Sequence, residues 1–301
     1  MCLNMITMSS SSPSSKNTRR RRRKPPRVLR LMRWAFGQLG RLFPSLFGLW
    51  AYRLWFSTQH FQPPKRELPW IAAAKQERVE LAGFSVMTYQ WGDVSRPMVV
   101  LVHGWSGRGS QMGAFAAPLV AAGFRVLSFD APGHGQTAGN STNIFEMRDV
   151  LNAIADKIAP IHSLVTHSFG GMVSALALSE GLAVNKAVLI SPPAQVEYLI
   201  NRFSDVMCFP HAVRNNLKAR LNKRFGDQTL AQISTMITSR RLEHIPALII
   251  HDQQDHDVPL QQAEKVHANW PDSEFIKTKG LGHKRILYNA EVIETVVGFI
   301  M

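Results

Sequence analysis

From Met98 to Phe299 the chain repeats one alternation, a short and almost wholly apolar run followed by a stretch with helical spacing. The runs are Met98–Val102, Phe124–Phe129, Ile161–Thr166, Lys186–Ile190, Ala247–His251 and Phe275–Thr278. Most lack the polar alternation of a half-exposed strand, so they read as strands buried on both faces. The stretches between them, Gln111–Ala122, Ile144–Ile158, Phe169–Leu178, Gln261–Ala268 and Glu291–Phe299, read as helices. Their punctuation agrees: Gly123 closes the first, Thr142 or Asn143 caps the second, and Pro160 follows it. Strands alternating with helices imply a largely parallel sheet covered on both faces. Right-handed crossovers then bring the strand C-terminal ends to one edge, where sites form. Arg78–Leu81 and Phe84–Gln90 add a hairpin around Ala82-Gly83. Residues 194–243 break the rhythm. Val196–Phe203, Val213–Phe225 and Leu230–Ser239 all have helical spacing and no strand intervenes, so this stretch reads as a helical cap inserted between two strands.

Charge divides the chain differently. The 301 residues carry 35 Lys+Arg against 21 Asp+Glu, a formal net charge of +14. Residues 1–66 hold 14 of the basic residues and no acid, so the remaining 21 basic and 21 acidic residues cancel. A globally basic nucleic-acid-binding fold is excluded by that split. The expected organisation is a basic arm over 1–66, a core over 67–193, the cap over 194–243, and the rest of the core over 244–301. The cysteines, Cys2 and Cys208, support neither a disulfide framework nor a cysteine zinc site, and no cofactor pattern is present. A cytoplasmic location is expected.

Within the arm, the Ser-rich 9–15 and the run Arg19–Lys24 read as disordered. Over Val28–Phe43, Met32, Phe36, Leu39 and Phe43 recur at helical spacing, with Arg30, Arg33 and Arg41 on another face. This is a basic amphipathic helix. Pro44 interrupts it, and a second apolar stretch follows with Phe47, Trp50, Trp55 and Phe56. The longest charge-free apolar window, Leu42–Tyr52, is 11 residues, against the ~20 needed to span a bilayer. No simple transmembrane helix is expected, and a signal peptide fits poorly. Two readings stay open. Residues 28–56 touch the anionic inner face of a membrane peripherally, or they pack on the body as an extra helical layer. Nucleic-acid binding by the Arg run is disfavoured. Translation from Met32 would remove 9 of the 14 basic residues.

The chemistry-bearing signal is Thr166-His167-Ser168-Phe169-Gly170-Gly171, where a strand runs into a serine and a helix starts at once. So sharp a bend wants small residues two before and two after the serine. Gly170 meets that demand and Thr166 does not. A nucleophilic serine needs a base, and the base needs an orienting acid. Downstream, Asp252, Asp255 and Asp257 follow one strand, and Gly280-Leu281-Gly282-His283 follows the next. The order Ser, Asp, His is the one that accompanies a strand–Ser–helix turn.

With these residues in place, the chain from about Val79 to Met301 resembles an α/β-hydrolase-fold serine hydrolase of esterase type. The resemblance rests on His103-Gly104-Trp105-Ser106-Gly107, Asp130-Ala131-Pro132-Gly133-His134-Gly135, the Ser168 turn, Asp255 four residues before Pro259, and His283. It implies an α/β fold with a mostly parallel eight-stranded sheet, flanked by helices and carrying a cap. It also implies roles. Ser168 attacks a carbonyl carbon of a small-molecule ester or thioester, His283 shuttles the proton, and Asp255 holds the imidazole. Trp105 and Phe169 donate N–H groups to the oxyanion. Asp252 is expected to serve a turn and Asp257 a solvated loop. His103, His134 and Asp130 are expected to shape loops, and His167, His251 and His256 to be structural. Serine at this position disfavours the dehalogenase and epoxide-hydrolase branches, and no Gly-Gly-Gly run follows His103. The cap holds eight Lys+Arg against four acids, which suits either an acidic acyl-CoA-like thioester or a solvated helix face. Residues 194–243 are expected to shape the pocket over Ser168. A thioesterase or other acyl-transfer enzyme, and a catalytically silent binding or anchoring module, are the alternatives.

Overall fold

The computed structural model describes residues 26–226 and 228–301. The Ser-rich stretch, the Arg19–Lys24 run, Cys2 and Asp227 lie outside the described residues. Helices α1 (Arg27–Leu42), α2 (Pro44–Trp55) and α3 (Leu68–Ala73) lead into the sheet. The hairpin strands are β1 (Lys75–Leu81) and β2 (Phe84–Trp91). Then come β3 (Met98–Val102), α4 (Ala116–Ala121), β4 (Arg125–Phe129), α5 (Ile144–Lys157), β5 (Ile161–His167), α6 (Phe169–Ser179) and β6 (Lys186–Ile190). The inserted segment holds α7 (Val196–Met207), α8 (His211–Phe225), α9 (Thr229–Gln232) and α10 (Thr235–Thr238). The chain closes with β7 (Ala247–Asp252), α11 (Leu260–His267), β8 (Ser273–Thr278), α12 (Gly282–Arg285) and α13 (Ala290–Ile300).

The eight strands form one sheet in the order β1-β2-β4-β3-β5-β6-β7-β8. Only the pairs β1–β2 and β2–β4 are antiparallel. Strand β3 pairs with β4 on one side and β5 on the other, so the chain reverses its direction of travel across the sheet there. The loops leaving β3 and β5 therefore part at the strand C-terminal edge, the place where open α/β sheets form crevices. One face of the sheet packs α5, α6 and α11 through residues such as Met147, Met172 and Val266. The other packs α4 and α13 through Leu119 and Val296.

Two sequence expectations change in detail. Gln111–Ala122 is not one helix, because Gly109–Phe115 winds as a 3-10 turn before α4. The Gly109 N–H is held by the Asp130 carboxylate at 2.6 Å, and Gly113 presses against Trp70, where a Cβ would sit 2.8 Å from that side chain's own Cβ. Leu230–Ser239 is likewise broken into α9, α10 and a 3-10 turn over Ser239–Arg241. Hydroxyls compete with the helix there: Thr235 Oγ1 donates to the Pro193 carbonyl, and Ser234 Oγ accepts from Val196 N.

Helices α1 and α2 pack on α7 and α8. Phe36 is fully buried between Phe47, Trp50 and Phe209, with ring centroids 5.3, 4.7 and 4.4 Å away. Leu39 and Phe43, grouped with Phe36 by spacing, are exposed. Arginines of the cap face this contact: Arg220 donates to Asn216 and to the Ser45 carbonyl, and Arg224 donates to the Tyr52 hydroxyl. Among the described residues, no helix is long and apolar enough to cross a membrane.

Candidate active site

The site begins with a backbone constraint. Strand β5 ends at His167 and α6 starts at Phe169, so Ser168 alone makes the turn, with φ 53° and ψ −122°. Positive φ in a non-glycine residue is strained and persists only where the surroundings enforce it. Here Ser168 N donates to the Ile190 carbonyl and Gly171 N to the Ser168 carbonyl. A Cβ on Gly170 would lie 2.5 Å from the Val102 carbonyl oxygen and 2.6 Å from that of His103, so only glycine fits. Thr166 is accepted because it still belongs to the straight strand. Its hydroxyl donates to the Val188 carbonyl at 2.9 Å, and it meets a hypothetical Cβ of Gly171 at an ordinary 3.4 Å.

Two loops bring the partners. His283 Nε2 accepts from the Ser168 hydroxyl at 3.1 Å, and His283 Nδ1–H donates to Asp255 Oδ2 at 2.7 Å. The other Asp255 oxygen accepts the N–H groups of Asp257 and Val258 at 2.8 and 2.9 Å. Burial pushes the Asp255 carboxyl up. The His283 hydrogen bond and charge and those two N–H groups outweigh it, and the carboxyl sits below its ordinary range. Asp252 joins the loops to each other, accepting from Gln254 N, Thr278 Oγ1 and Leu281 N, each at 2.9 Å. Asp257 contributes its backbone, not its carboxylate, to this arrangement.

Two residues expected to be structural touch this relay. His167 Nε2–H donates to the His283 carbonyl at 2.9 Å, and the two rings lie 4.7 Å apart. Burial lowers His167 to about 3, so its ring is neutral. His251 donates to the Val258 carbonyl at 2.8 Å and lies 3.6 Å from Asp255 Oδ2. Among the described residues, His256 takes part through its carbonyl, which accepts from Arg202. Sequence spacing gave no sign of the His167 contact, because it joins residues 116 positions apart.

The loop after β3 faces the serine. A Cβ on Gly104 would stand 3.0 Å from Ser168 Cβ, so the backbone approaches this serine closely. Among the described hydrogen bonds, neither Trp105 N nor Phe169 N donates to the chain. His103 and His134 hold this loop as neutral rings. His103 Nδ1–H donates to the Gly104 carbonyl while Nε2 accepts from Ala131 N, and burial lowers it to about 4. His134 Nδ1–H donates to the Pro132 carbonyl while Nε2 accepts from Ser106 N, and burial lowers it to about 3. Asp130 anchors the neighbouring turns by accepting from Gly109 N, Gln136 N and the Tyr89 hydroxyl.

The cavity over Ser168 has a volume of about 290 Å³ and is walled by Phe61, Arg66, Trp105, His283 and Lys284, among others. Contrary to the expectation, none of the described residues of 194–243 lines this cavity; α7 reaches the site indirectly, through Tyr198 and Arg202 donating to the Asp257 and His256 carbonyls of the loop that carries Asp255. The physical reason lies in what the cap covers: α7 and α8 are occupied by α1 and α2. The missing wall comes from residues 57–66, grouped with the arm by charge alone. That strap is pinned at Thr58 Oγ1 to the Gly133 carbonyl, at Gln59 N to Ser106 Oγ, and at the His60 ring, whose nitrogens lie 2.7 Å from the Gly135 and Gly139 carbonyl oxygens. Next to it, buried Glu67 is held by Arg108 and Ser110. No group of three or more metal-ligating side chains occurs among the described residues.

Comparison with known proteins agrees with this architecture. Among curated proteins, the dihydrolipoyllysine-residue acetyltransferase component of the acetoin cleaving system of Pseudomonas putida is 29% identical over 199 residues, 60% of this chain and 53% of that protein. The chain thus spans about half the length of that relative. Among solved structures, the Pyrococcus furiosus esterase PF2001 superposes with a TM-score of 0.62 at 17% identity, covering 81% of this chain and 96% of that one. A membrane phospholipase A, described as a bacterial virulence factor, gives 0.60 at 16% identity, covering 91% and 96%. At these identities the structural likeness establishes the fold. The family model for the alpha/beta hydrolase family matches residues 99–295, from β3 into α13, and the chain belongs to that family.

Proposed function

We infer that this chain is a serine hydrolase that cleaves carboxylic esters through an acyl-enzyme. One observation carries the reading: Ser168, His283 and Asp255 form a continuous hydrogen-bonded relay whose serine end opens into a cavity. Ser168 Oγ adds to the ester carbonyl carbon while its proton passes to His283 Nε2. The carbonyl oxygen becomes an oxyanion and accepts N–H bonds from Trp105 and Phe169, each worth roughly 3 kcal/mol in the transition state. The C–O bond to the alcohol breaks as His283 returns the proton to the leaving oxygen. Water then attacks the acyl-enzyme, giving its proton to His283, and Ser168 leaves with that proton as the carboxylic acid is released. Asp255 keeps Nδ1 protonated and stabilises the imidazolium in both halves.

Acyl transfer from a thioester is the second reading. The Pseudomonas putida relative is named as an acetyltransferase, and the relay serves either leaving group. The mouth of the cavity carries the cationic side chains Arg66 and Lys284, which suits an anionic leaving group. A panel of p-nitrophenyl esters of increasing acyl length, run beside acyl-CoA thioesters, tests both. Turnover of short esters that Ser168→Ala removes is expected. Folded protein that turns over neither class contradicts the hydrolase reading and leaves a binding module.

A further inference from the structure

Helix α1 carries three parallel stripes, each displaced from the next by one residue, or 100° around the axis. Leu29, Met32, Phe36 and Gly40 face the body, with Phe36 and Gly40 buried. Val28, Leu31, Ala35 and Leu39 follow one position behind at the same spacing, with Leu42 next on that face; Ala35 is half-buried against the core and Leu39 is exposed. Leu31 is 65% exposed and Leu42 70%. Arg27, Arg30, Trp34 and Arg41 form the third stripe, and Trp34 is 56% exposed. Phe43 and Leu46, the latter 64% exposed, prolong the apolar stripe across the junction with α2. Among the described residues, packing on the cap therefore covers one apolar stripe and the Ala35 edge of the other, and leaves Val28, Leu31, Leu39 and Leu42 open beside the arginines.

We propose that this outer face of α1 and the α1–α2 junction docks on an anionic lipid surface. Charge complementarity selects the occupant. The first 66 residues hold 14 basic residues and no acid, and three of the arginines border the exposed apolar stripe directly. Docking of a second copy through this face would set like charges against each other. A nucleic-acid backbone would pair with the arginines but leave Leu31, Leu42 and Leu46 in water. An anionic bilayer satisfies both stripes: acyl chains take the leucines, headgroups take the arginines, and Trp34 falls at the boundary between them. The face lies on one wall of the molecule and needs no spanning helix. From α2 the chain passes directly into the strap 57–66 that walls the Ser168 cavity.

The test is co-sedimentation of the full chain with vesicles of phosphatidylcholine alone and with added phosphatidylglycerol. Partition onto the anionic vesicles is expected to be about tenfold or more stronger, and to weaken with salt. Leu31→Glu with Leu42→Glu is expected to cut that partition about tenfold or more, with the circular dichroism spectrum unchanged. Arg27→Gln, Arg30→Gln and Arg41→Gln together are expected to weaken the preference for anionic over neutral lipid several-fold, the remaining basic residues of the arm keeping part of it. If the glutamate pair perturbs the spectrum, Leu42→Gln with Leu46→Gln makes the same reading. Three results overturn the proposal. One is no vesicle binding, and another is anionic binding that survives the leucine substitutions. The third is a dimer in sedimentation equilibrium that those substitutions dissociate.

Discussion

Three aspartates stand within six residues at the end of β7 and in the loop that follows, and the bonds each accepts set them apart. Asp255 aims one oxygen at His283, Asp252 ties the two loops together, and the Asp257 carboxylate has no such task. Asp255→Asn is expected to lower kcat by roughly 10³–10⁴-fold, since the amide no longer fixes the donating tautomer of His283. Asp257→Asn should leave kcat within a few-fold, because its backbone N–H survives. Steady-state ester hydrolysis by both variants checks the pair. Thr166 was the one departure legible in the sequence, and its explanation was not. A threonine two before the serine looks obstructive until its hydroxyl is seen on the Val188 carbonyl. Thr166→Val keeps the shape and removes that bond, so thermal unfolding should show a loss of about 1 kcal/mol with ester turnover retained. Motif spacing placed Ser168 and His283 because the turn and the last strand end constrain them locally. His167 escaped because its partner lies across the fold.

At the scale of elements, periodicity states which face of a helix is apolar but not what covers it. The first helix of the arm was legible from spacing, and so were α7 and α8; α2 was read only as an apolar stretch, and the packing of the arm on the cap was not legible. Gly48 marks the contact: a Cβ there would sit 2.6 Å from the Cβ of Asn216 on α8. Gly48→Val is therefore expected to destabilise the protein by about 1–3 kcal/mol through overpacking. Chemical denaturation measures this. A variant as stable as the parent would mean that α2 does not rest on α8. The same limit explains the cavity wall. Charge arithmetic drew a boundary at residue 66, while hydrogen bonds from Thr58, Gln59 and His60 attach the strap to the loops around Ser168. The broken helix over 230–239 was missed for a different reason: serine and threonine hydroxyls that bond carbonyls are invisible to an apolar count.

Across the whole molecule the sheet was the most legible feature, because long apolar strands have few alternatives to burial between helix layers. Its burial has a pH consequence. Burial holds His103 at about 4 and His134 and His167 at about 3, and lowers His251 as well. In the unfolded chain these rings bind protons near pH 6.5. The unfolded state thus binds more protons below that pH, and the stability these rings contribute is complete above it and lost as pH falls toward the folded values. Each contributes a slope on the order of 1 kcal/mol per pH unit. Asp130, raised by burial, works in the opposite direction, one group against these four rings and the partly exposed His162, which burial also lowers. Urea midpoints should therefore drop between about pH 7 and about pH 5, and a flat or rising profile would contradict the neutral buried rings. In the proposed reaction Ser168 is a nucleophile activated by His283 and Asp255. Reaction of the folded chain with a fluorophosphonate probe, followed by peptide mapping, tests it most directly. A single adduct on Ser168 is expected, absent in Ser168→Ala and strongly slowed in His283→Ala. Folded wild-type protein that resists the probe, or carries the adduct on another serine, would contradict it.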